Sequence, residues 1–393
     1  MTDSSADAPV LSGAETRAAE ALLSACRGAS ATVTGAERIW DRHHIVRLRI
    51  ADGEQTVVLK RQRRENFGDR ERGFDAELGA LEFLNSMETP VAPRLLGADP
   101  AAGILVMEDL GPGSSLADSL LGSDRERAQA DLVSYARAMA TMHAWSVGRS
   151  REYAAIRSRH ARSPEDAIDP DWIHASARGK GPFLELAAKL GLPADGVAEE
   201  IDSLGPLMGT CGPIGLVHSD LCPDNTHIVD GGCRLIDFET SGWGPIALDV
   251  AYLLAPFPSC WCFASLPAQA ADPALRAYRD QVTSAGIDLG PDWDTALAAA
   301  LAVSVVARGA GIGRALDQDS RWGTATFRPR LLTWLESFAA AAAATGALPR
   351  LRAVAEAMHE QLRRRWPEAV VPDYPALARP GAALAELRDE DGE

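Results

Sequence analysis

Two short runs near the start of the chain, the first with alternating apolar and polar residues and the second with an apolar centre, predict a pair of β-strands. Residues 45–50 read Ile-Val-Arg-Leu-Arg-Ile, and residues 55–60 read Gln-Thr-Val-Val-Leu-Lys. The Ala-Asp-Gly-Glu sequence at 51–54 is typical of a turn, so the two runs are expected to form a hairpin. A continuous apolar run at 104–107 predicts a buried strand, and it ends at a loop rich in Gly and Pro.

Helical spacing of apolar residues occurs around these strands and dominates the rest of the chain. Residues 15–27 have this periodicity, and the helix predicted over 73–86 carries Phe74, Leu78, Leu81 and Leu84 on one stripe. Beyond the loop at 108–115, helices are predicted over 124–146, 183–203, 246–255, 273–286, 293–316, 327–345 and 348–366. A β-type stretch at 215–239 interrupts this helical region.

This order of elements predicts an α+β protein with two lobes. The 393 residues exceed the single-core limit of about 250–300 residues. We expect a partly helical N-terminal extension over 1–30, a smaller lobe with an antiparallel sheet over 31–110, and a larger helical lobe over 111–375. Residues 376–393 form an acidic, mobile tail in this interpretation.

Charge and hydropathy limit the kinds of molecule that this protein is expected to bind. Acidic residues number 55 and basic residues 39, and a net charge of −16 disfavours nucleic acid and anionic membranes as partners. An acidic surface is compatible with a cationic small substrate, but solubility alone is the favoured interpretation. The start of the chain resembles no secretory signal, and no apolar run approaches the roughly 20 residues needed to cross a bilayer, so a cytoplasmic protein is predicted.

The six cysteines show neither Cys-x-x-Cys pairs nor histidine partners at zinc spacing. Free thiols in a reducing compartment are therefore expected. Cys260 and Cys262 flank a tryptophan, and they are interpreted as two buried or half-buried thiols because suitable metal ligands are missing nearby. His143 is interpreted as a packed or capping side chain at a helix end.

The stretch 215–239 carries the most specific chemistry. It contains His218-Ser219-Asp220, then Asn225, then Ile-Asp237-Phe. Transfer of a γ-phosphoryl group from ATP needs a carboxylate that orients and deprotonates the attacking hydroxyl, and oxygen ligands that hold Mg²⁺. Asp220 suits the first role, and Asn225 and Asp237 suit the second, since a turn at 229–232 would bring them side by side. The alternative is an ordinary hairpin with a polar approach loop.

Two further positions fit a nucleotide site. Lys60 ends a strand, where it can contact ATP phosphates, although an exposed strand-end lysine is the common alternative. Glu77 borders the buried face of the following helix and can form an ion pair with Lys60. Backbone groups of the segment containing Met107, Glu108 and Leu110 can contact an adenine edge as a hinge between lobes, or the segment is an ordinary linker.

Together these pieces resemble the aminoglycoside phosphotransferase and choline kinase family, the small-molecule branch of the protein-kinase-like fold. The matching region spans about 57–254 and includes a Gly-Trp-Gly-Pro-Ile-Ala-Leu-Asp249 segment. The resemblance implies a bilobal protein-kinase-like fold and an ATP- and Mg²⁺-dependent enzyme that phosphorylates a hydroxyl of a small molecule, such as an amino-sugar antibiotic, an amino alcohol or a related metabolite.

The same resemblance implies roles for individual residues. Asp220 would be the catalytic base, Asn225 and Asp237 would bind Mg²⁺, and Lys60 would contact the ATP phosphates. His218 and Asp249 would brace the catalytic loop.

The chain also departs from protein kinases. A Gly-x-Gly-x-x-Gly loop does not precede Lys60, where residues 34–40 read Thr-Gly-Ala-Glu-Arg-Ile-Trp. His-Ser-Asp and Asp-Phe-Glu replace His-Arg-Asp and Asp-Phe-Gly, and an Ala-Pro-Glu segment is missing, which disfavours a protein kinase. The other alternative is a nucleotide-binding pseudokinase that acts as a regulator, but such a protein is expected to lack one of Lys60, Asp220, Asn225 and Asp237.

Overall fold

The computed structural model describes residues 10–39, 43–51, 56–62, 70–160, 171–229, 232–255, 257 and 259–378. The chain divides into two compact units. One unit, here called the sheet unit, comprises Met1–Pro112, Arg151–Ala167 and Ile236–Glu239; the other, the helical unit, comprises Gly113–Ser150, Ile168–Leu235 and Thr240–Glu393. Residues 52–54 of the predicted first turn, residues 230–231 of the second turn, Trp40, and the tail beyond residue 378 lie outside the described residues.

The helices and strands follow one another along the chain in this order: α1 Gly13–Arg27, β1 Val33–Arg38, β2 Ile45–Ile50, β3 Thr56–Arg61, α2 Arg70–Leu84, β4 Leu95–Asp99, β5 Ile104–Glu108, α3 Leu116–Leu121, α4 Arg125–Ser146, α5 Ser150–His160, α6 Asp171–Lys189, α7 Val197–Asp202, α8 Leu204–Cys211, β6 Ile214–Val217, β7 Thr226–Val229, β8 Gly232–Leu235, β9 Gly242–Pro245, α9 Ala247–Leu254, α10 Ala268–Ser284, α11 Trp293–Ala307, α12 Gly309–Asp317, β10 Arg321–Trp322, β11 Ala325–Thr326, α13 Phe327–Thr345 and α14 Pro349–Arg365. A short 3₁₀ helix, Pro375–Leu377, completes the described chain. Most predicted elements are present, and the predicted α+β class is confirmed, with an antiparallel sheet in the first unit and mainly helices in the second, in the order of the protein-kinase-like fold.

The sheet unit is built on an antiparallel sheet with strand order β1-β2-β3-β5-β4. Alternation places Val57 and Leu59 of β3 in an apolar core with Ala19 and Leu23 of α1, whereas Lys60 faces the opposite side of the sheet. Helix α1 begins with a capping box between Ser12 and Glu15. The predicted N-terminal extension therefore contains a helix that covers one face of the sheet.

Helix α2 brings Glu77 to the sheet and is supported by α5. The rings of Phe83 and Tyr153 meet edge to face with centroids 5.3 Å apart. Gly79 leaves room for Arg157, because a Cβ at that position would lie 2.4 Å from the arginine Cδ. The Arg157 guanidinium donates to the backbone carbonyl of Asp75 in the turn before Gly79. These contacts hold the α2 turn that carries Glu77.

The helical unit packs around α11, nearly all of which is buried. This helix contacts α6, α8, α9 and α13, while α10 packs along α4. Helix α13 ends at Gly346, whose positive φ of 71° suits glycine at a helix C-terminus. Among the described residues, no helix is long and apolar enough to cross a membrane.

Several predicted boundaries are wrong. The predicted helix 183–203 is two helices, because Gly191 and Gly196 adopt positive φ around Pro193. The predicted helix 293–316 is also two helices that meet at Arg308. Strands β1, β4 and β9 were not predicted: β1 and β4 have irregular register, and the β9 sequence Gly-Trp-Gly-Pro lacks apolar alternation.

The expectation of free thiols throughout is also wrong. Cys222 and Cys260 form a disulfide within the helical unit. The remaining cysteines, Cys26, Cys211, Cys233 and Cys262, are free. Cys262 is buried as predicted, but its neighbour Cys260 is not a thiol. Sequence spacing could not reveal this pair because the two cysteines lie 38 positions apart and meet only through tertiary structure.

Candidate active site

In the sheet unit, Lys60 lies between two carboxylates. Its Nζ is 2.6 Å from Oε2 of Glu77 and 2.5 Å from Oδ1 of Asp237, and only 8% of the residue is exposed. The ion pair with Glu77 predicted from their order is therefore present. Asp237 reaches the same ammonium although it lies 177 residues later in the chain. The site residues Lys60, Glu77 and Asp237 thus come together in one unit.

The charges of this cluster do not balance, since Glu239 adds to the negative potential around Lys60. Burial alone would lower the pKa of Lys60, but the carboxylates of Asp237, Glu77 and Glu239 outweigh it and hold that pKa above its ordinary value. Burial raises the pKa of Glu77 to about 7, with Lys60 acting in the opposite direction. One ammonium is therefore surrounded by several carboxylates, and the excess negative charge favours the binding of a cation.

Asp237 adopts an unusual backbone conformation. Its φ of 67° lies in the left-handed region, which residues with a side chain rarely occupy. It follows β8 by two residues and precedes Phe238, whose side chain is fully buried. Such conformations persist where the surrounding structure enforces them, and they concentrate at functional sites.

The predicted hinge residues Met107, Glu108 and Leu110 lie at and just after the end of β5. The N–H of Glu108 donates to the carbonyl of Arg94 at 2.8 Å, so this donor belongs to the sheet. Asp109 lies within this predicted segment, but sequence reasoning assigned its side chain no role. It accepts from Arg47 Nε at 2.5 Å and Thr56 Oγ1 at 2.6 Å. It also accepts from the Gly111 N–H at 3.0 Å. Arg47 alternates with buried neighbours on β2, but no pattern indicated its partner.

In the helical unit, residues 218–225 form the loop that carries the predicted base, and it is here called the catalytic loop. Asp249, which is fully buried, accepts from the backbone N–H of His218 at 2.7 Å and of Ser219 at 2.9 Å. Ser219 has a φ of 66°, a second left-handed residue next to the predicted base. The resemblance implied that Asp249 braces this loop, and these two hydrogen bonds are the contacts through which it does so.

His143 belongs to the same support. Its Nε2 lies 3.1 Å from Oδ2 of Asp249, and its Nδ1 lies 2.8 Å from the hydroxyl of Tyr278. All three side chains are fully buried. The interpretation of His143 as a packed side chain agrees with this position, but nothing in the sequence connected it to Asp249, because the three residues come from α4, α9 and α10.

Asp220 and Asn225 face each other across the loop. The Asn225 Nδ2 donates to the Asp220 carbonyl at 2.8 Å and to its Oδ2 at 3.1 Å. The amide nitrogen is therefore turned toward the predicted base. The amide oxygen is the atom of this side chain that can coordinate a cation. Tyr135 donates to the Leu221 carbonyl at 3.0 Å and fixes the middle of the loop.

The donor chemistry fits Mg²⁺. Within the part of the chain that the structure describes, no group of three or more His, Cys, Asp or Glu side chains is arranged to hold a metal. Mg²⁺ prefers oxygen ligands and keeps several waters, so one carboxylate and one amide oxygen suffice when phosphates supply the rest. Asp237 of the sheet unit and Asn225 of the helical unit are the predicted carboxylate and amide ligands, whereas a structural zinc site would need more ligands.

The helical unit presents a carboxylate and an amide in one loop, and the sheet unit presents a buried lysine held by a glutamate; these are residue types that phosphoryl transfer uses. Comparison with known sequences agrees with this assignment, since residues 41–296 match the sequence model of the phosphotransferase enzyme family. The chain belongs to this family, and the prediction of a small-molecule phosphotransferase is confirmed. No curated protein matches the chain.

Solved structures with a similar fold include several kinases. A choline/ethanolamine kinase family protein from Mesorhizobium loti is 17% identical, with a TM-score of 0.46, over 86% of this chain and 98% of that one. A choline kinase from Cryptosporidium parvum is 13% identical, with a TM-score of 0.42, over 89% and 96%. A macrolide 2′-phosphotransferase from Brachybacterium faecium is 16% identical, with a TM-score of 0.41, over 88% and 97%.

Proposed function

We propose that this chain transfers the γ-phosphoryl group of ATP to a hydroxyl group of a small molecule and requires Mg²⁺. The observation that carries the proposal is the buried ammonium of Lys60, which contacts both Glu77 and Asp237. A lysine fixed by one carboxylate and placed beside a second carboxylate suits a Mg²⁺-bound triphosphate, because the ammonium and the metal then share the phosphate charge.

Each residue has a defined task in this reaction. Asp220 orients the acceptor hydroxyl and takes its proton as the oxygen attacks the γ-phosphorus. Lys60 donates hydrogen bonds to phosphate oxygens, and Glu77 keeps its ammonium in place. Asp237 and Asn225 hold the Mg²⁺, which when bound neutralises charge on the phosphates.

Two further groups of contacts position the nucleotide and the predicted base. The segment with Met107, Glu108 and Leu110 receives the adenine base, and Asp109 keeps this segment in one conformation through its bonds to Arg47, Thr56 and Gly111. Asp249 holds the N–H groups of His218 and Ser219, and so sets the direction of Asp220.

The net charge of −16 is compatible with a cationic acceptor, such as an amino sugar or an amino alcohol. The test is ADP release by the purified full chain with a panel of amino sugars, choline-like amines, sugars and nucleoside antibiotics, each with Mg²⁺ or with EDTA. We expect Mg²⁺-dependent turnover with one acceptor class and a phosphorylated product in mass spectrometry. Nucleotide binding without turnover across the panel would instead support a pseudokinase.

The metal assignment has its own test. Asp237→Ala is expected to weaken both Mg·ATP binding and turnover, whereas Asn225→Ala is expected to affect binding less because an amide oxygen contributes no charge. Nucleotide titrations with and without Mg²⁺ measure the difference. Unchanged metal dependence in the Asp237 variant would place the metal elsewhere.

A further inference from the structure

The catalytic loop is covalently tied to a segment outside it. Cys222 lies between the predicted base Asp220 and the predicted metal ligand Asn225, and it forms a disulfide with Cys260. The next residue, Trp261, donates from its indole Nε1 to Oδ2 of Asp224 at 2.8 Å. Two consecutive residues of the segment 260–263, here called the anchor segment, therefore hold two residues of the loop.

The anchor segment is itself fixed. Arg330 of α13 is fully buried and donates from Nη1 to the Cys260 carbonyl at 2.5 Å, and from Nη2 to the carbonyl of Trp322. The N–H of Thr324 donates to the Trp261 carbonyl at 2.7 Å, and its hydroxyl donates to the Phe263 carbonyl at 2.7 Å. The disulfide thus joins the loop to a rigid support.

Cys222 also lies directly beside the predicted base. Its Sγ is 3.3 Å from Oδ1 of Asp220. A disulfide sulfur carries no proton, so the oxidised cysteine cannot donate to this oxygen. A thiol at the same position can donate, and it would compete with the substrate hydroxyl for the carboxylate. Reduction therefore affects Asp220 in two ways. It breaks the covalent link between the loop and Cys260, and it creates a hydrogen-bond donor, the Cys222 thiol, beside the carboxylate.

We propose that Cys222 and Cys260 are a thiol–disulfide modification site that positions the catalytic loop, with the oxidised form active and the reduced form slow in phosphoryl transfer. The inference rests on the proposed function. Both cysteines are positioning residues, because they act through Asp220 and Asn225. Disulfides that are formed and broken in this way are typical of redox-sensing proteins.

The redox step is a thiol–disulfide exchange, and here the reductant is a dithiol. One thiolate of the reductant attacks a sulfur of the pair, the S–S bond breaks, and a mixed disulfide forms. The second thiol of the reductant then displaces the protein sulfur, so the reductant leaves as a cyclic disulfide. Two electrons and two protons end on Cys222 and Cys260. Glutathione disulfide reverses the step by accepting the two electrons.

Because both cysteines are buried, reduction of the disulfide depends on local opening of the structure around them. Cys222 is 7% exposed and Cys260 is 2% exposed, so a reductant reaches them only when the loop or the anchor segment moves. Trp261, in contrast, is 38% exposed and lies on the outer side of the pair. Reduction is therefore expected to be slower than reduction of an exposed disulfide, and occupancy of the site is expected to slow it further.

The first test uses the unmodified full chain and its best acceptor from the panel. The oxidised protein is compared with protein treated with dithiothreitol, and alkylation followed by peptide mass spectrometry reports the state of each cysteine. We expect kcat to fall about 10- to 100-fold on reduction, since small displacements of a catalytic group have effects of this size, while KM for ATP changes little. Glutathione disulfide should restore kcat.

A control variant tests whether the other cysteines cause the response to dithiothreitol. Cys26→Ser with Cys211→Ser removes the two free cysteines that are not buried, and it should respond to dithiothreitol as the unmodified chain does. An unchanged kcat in protein whose Cys222 and Cys260 are fully alkylated after reduction would overturn the inference.

The second test separates the two effects of reduction. Cys260→Ala leaves a thiol at Cys222 beside Asp220, whereas Cys222→Ala leaves no donor there. Both variants should be insensitive to dithiothreitol, and Cys260→Ala should have the lower kcat and a shifted pH profile. Circular dichroism confirms folding. Wild-type kcat in both folded variants would overturn the inference.

These outcomes differ from a failure of the proposed function. A kcat that is the same in the oxidised and the reduced protein contradicts only the inference drawn from the disulfide. A lack of turnover in both redox states, with the disulfide confirmed by peptide mapping, contradicts the proposed function.

Discussion

The sheet unit holds its site residues by charge, whereas the helical unit holds its catalytic loop by hydrogen bonds from backbone N–H groups. Around Lys60, a single ammonium is surrounded by Glu77 and Asp237 at 2.6 and 2.5 Å. Around the loop, Asp249 accepts from two successive N–H groups and contacts His143. We expect the first arrangement to respond to a charged ligand and the second to keep its geometry when a ligand binds.

This difference fits the roles proposed for the two regions. A phosphate and metal site has to exchange partners when nucleotide binds, so an excess of carboxylates around one lysine is suitable. A base has to be oriented before the reaction, because preorganised groups do not have to rearrange in the transition state. Substitutions in the two regions should therefore separate effects on nucleotide binding from effects on kcat.

The largest expected effect is at Asp220. Asp220→Asn removes the base but keeps the shape of the loop, so we expect ATP binding to persist while kcat falls by about 10²–10⁴-fold. Turnover and nucleotide affinity are measured on the same protein. Asp272→Asn, an exposed substitution on α10, is the control and should retain activity. Near-normal turnover in folded Asp220→Asn protein would refute the assignment.

The charge cluster predicts strong coupling between Lys60 and Glu77. Each single alanine substitution should lower kcat/KM nearly as much as the double substitution, by about 10²-fold, because either change leaves the phosphates without a positioned ammonium. The Lys60→Arg variant should also have a low kcat/KM, since a planar guanidinium does not replace a compact ammonium. The pair Arg61 and Glu15, with Nε and Oε1 2.5 Å apart, is the matched control and should affect stability without affecting kcat/KM. Additive losses at Lys60 and Glu77 would show that the two residues act independently.

The loop support predicts a smaller effect that falls on kcat. Asp249→Asn leaves fewer acceptor sites for the N–H groups of His218 and Ser219, and we expect kcat to fall about 10-fold or more with little change in KM for ATP. The free energy of unfolding should fall by about 1–3 kcal/mol, because buried donors lose a partner. Asp131→Asn tests the alternative of general destabilisation, since Asp131 is also buried and accepts from Ser119 at 2.5 Å. It should lose stability and keep kcat.

The smallest effect concerns stability at low pH. Burial of Glu15 opposes ionisation, but hydrogen bonds from Arg61 and Ser12 outweigh it and lower its pKa from 4.5 to about 2. The folded state therefore favours the carboxylate, so this contribution is present above pH 4.5 and is lost as pH falls toward 2. The stability difference between the unmodified chain and Glu15→Gln should narrow over this range in denaturant unfolding. A constant difference would mean that the ion pair does not contribute.

Much of the local structure could be predicted from the sequence. Alternation in 45–50 and the apolar run after the turn identified β2 and β3, and helical spacing identified α1, α2, α4, α13 and α14. The same local patterns placed Lys60 at a strand end and Glu77 beside a buried stripe. Strand β9 could not be predicted, because a Gly-Trp-Gly-Pro sequence becomes a strand only through its pairing with β6.

The amino-acid sequence by itself determined the chemistry of the site, because reactive groups at a fixed spacing in a short loop depend on local covalent structure. Asp220 and Asn225 are five positions apart and meet across their own loop. Only the tertiary structure decided which distant groups support them. Asp237 reaches Lys60, His143 and Tyr278 reach Asp249, and Cys222 reaches Cys260 through contacts between separate elements. Such contacts depend on the packing of the whole chain and leave no periodic signal along it.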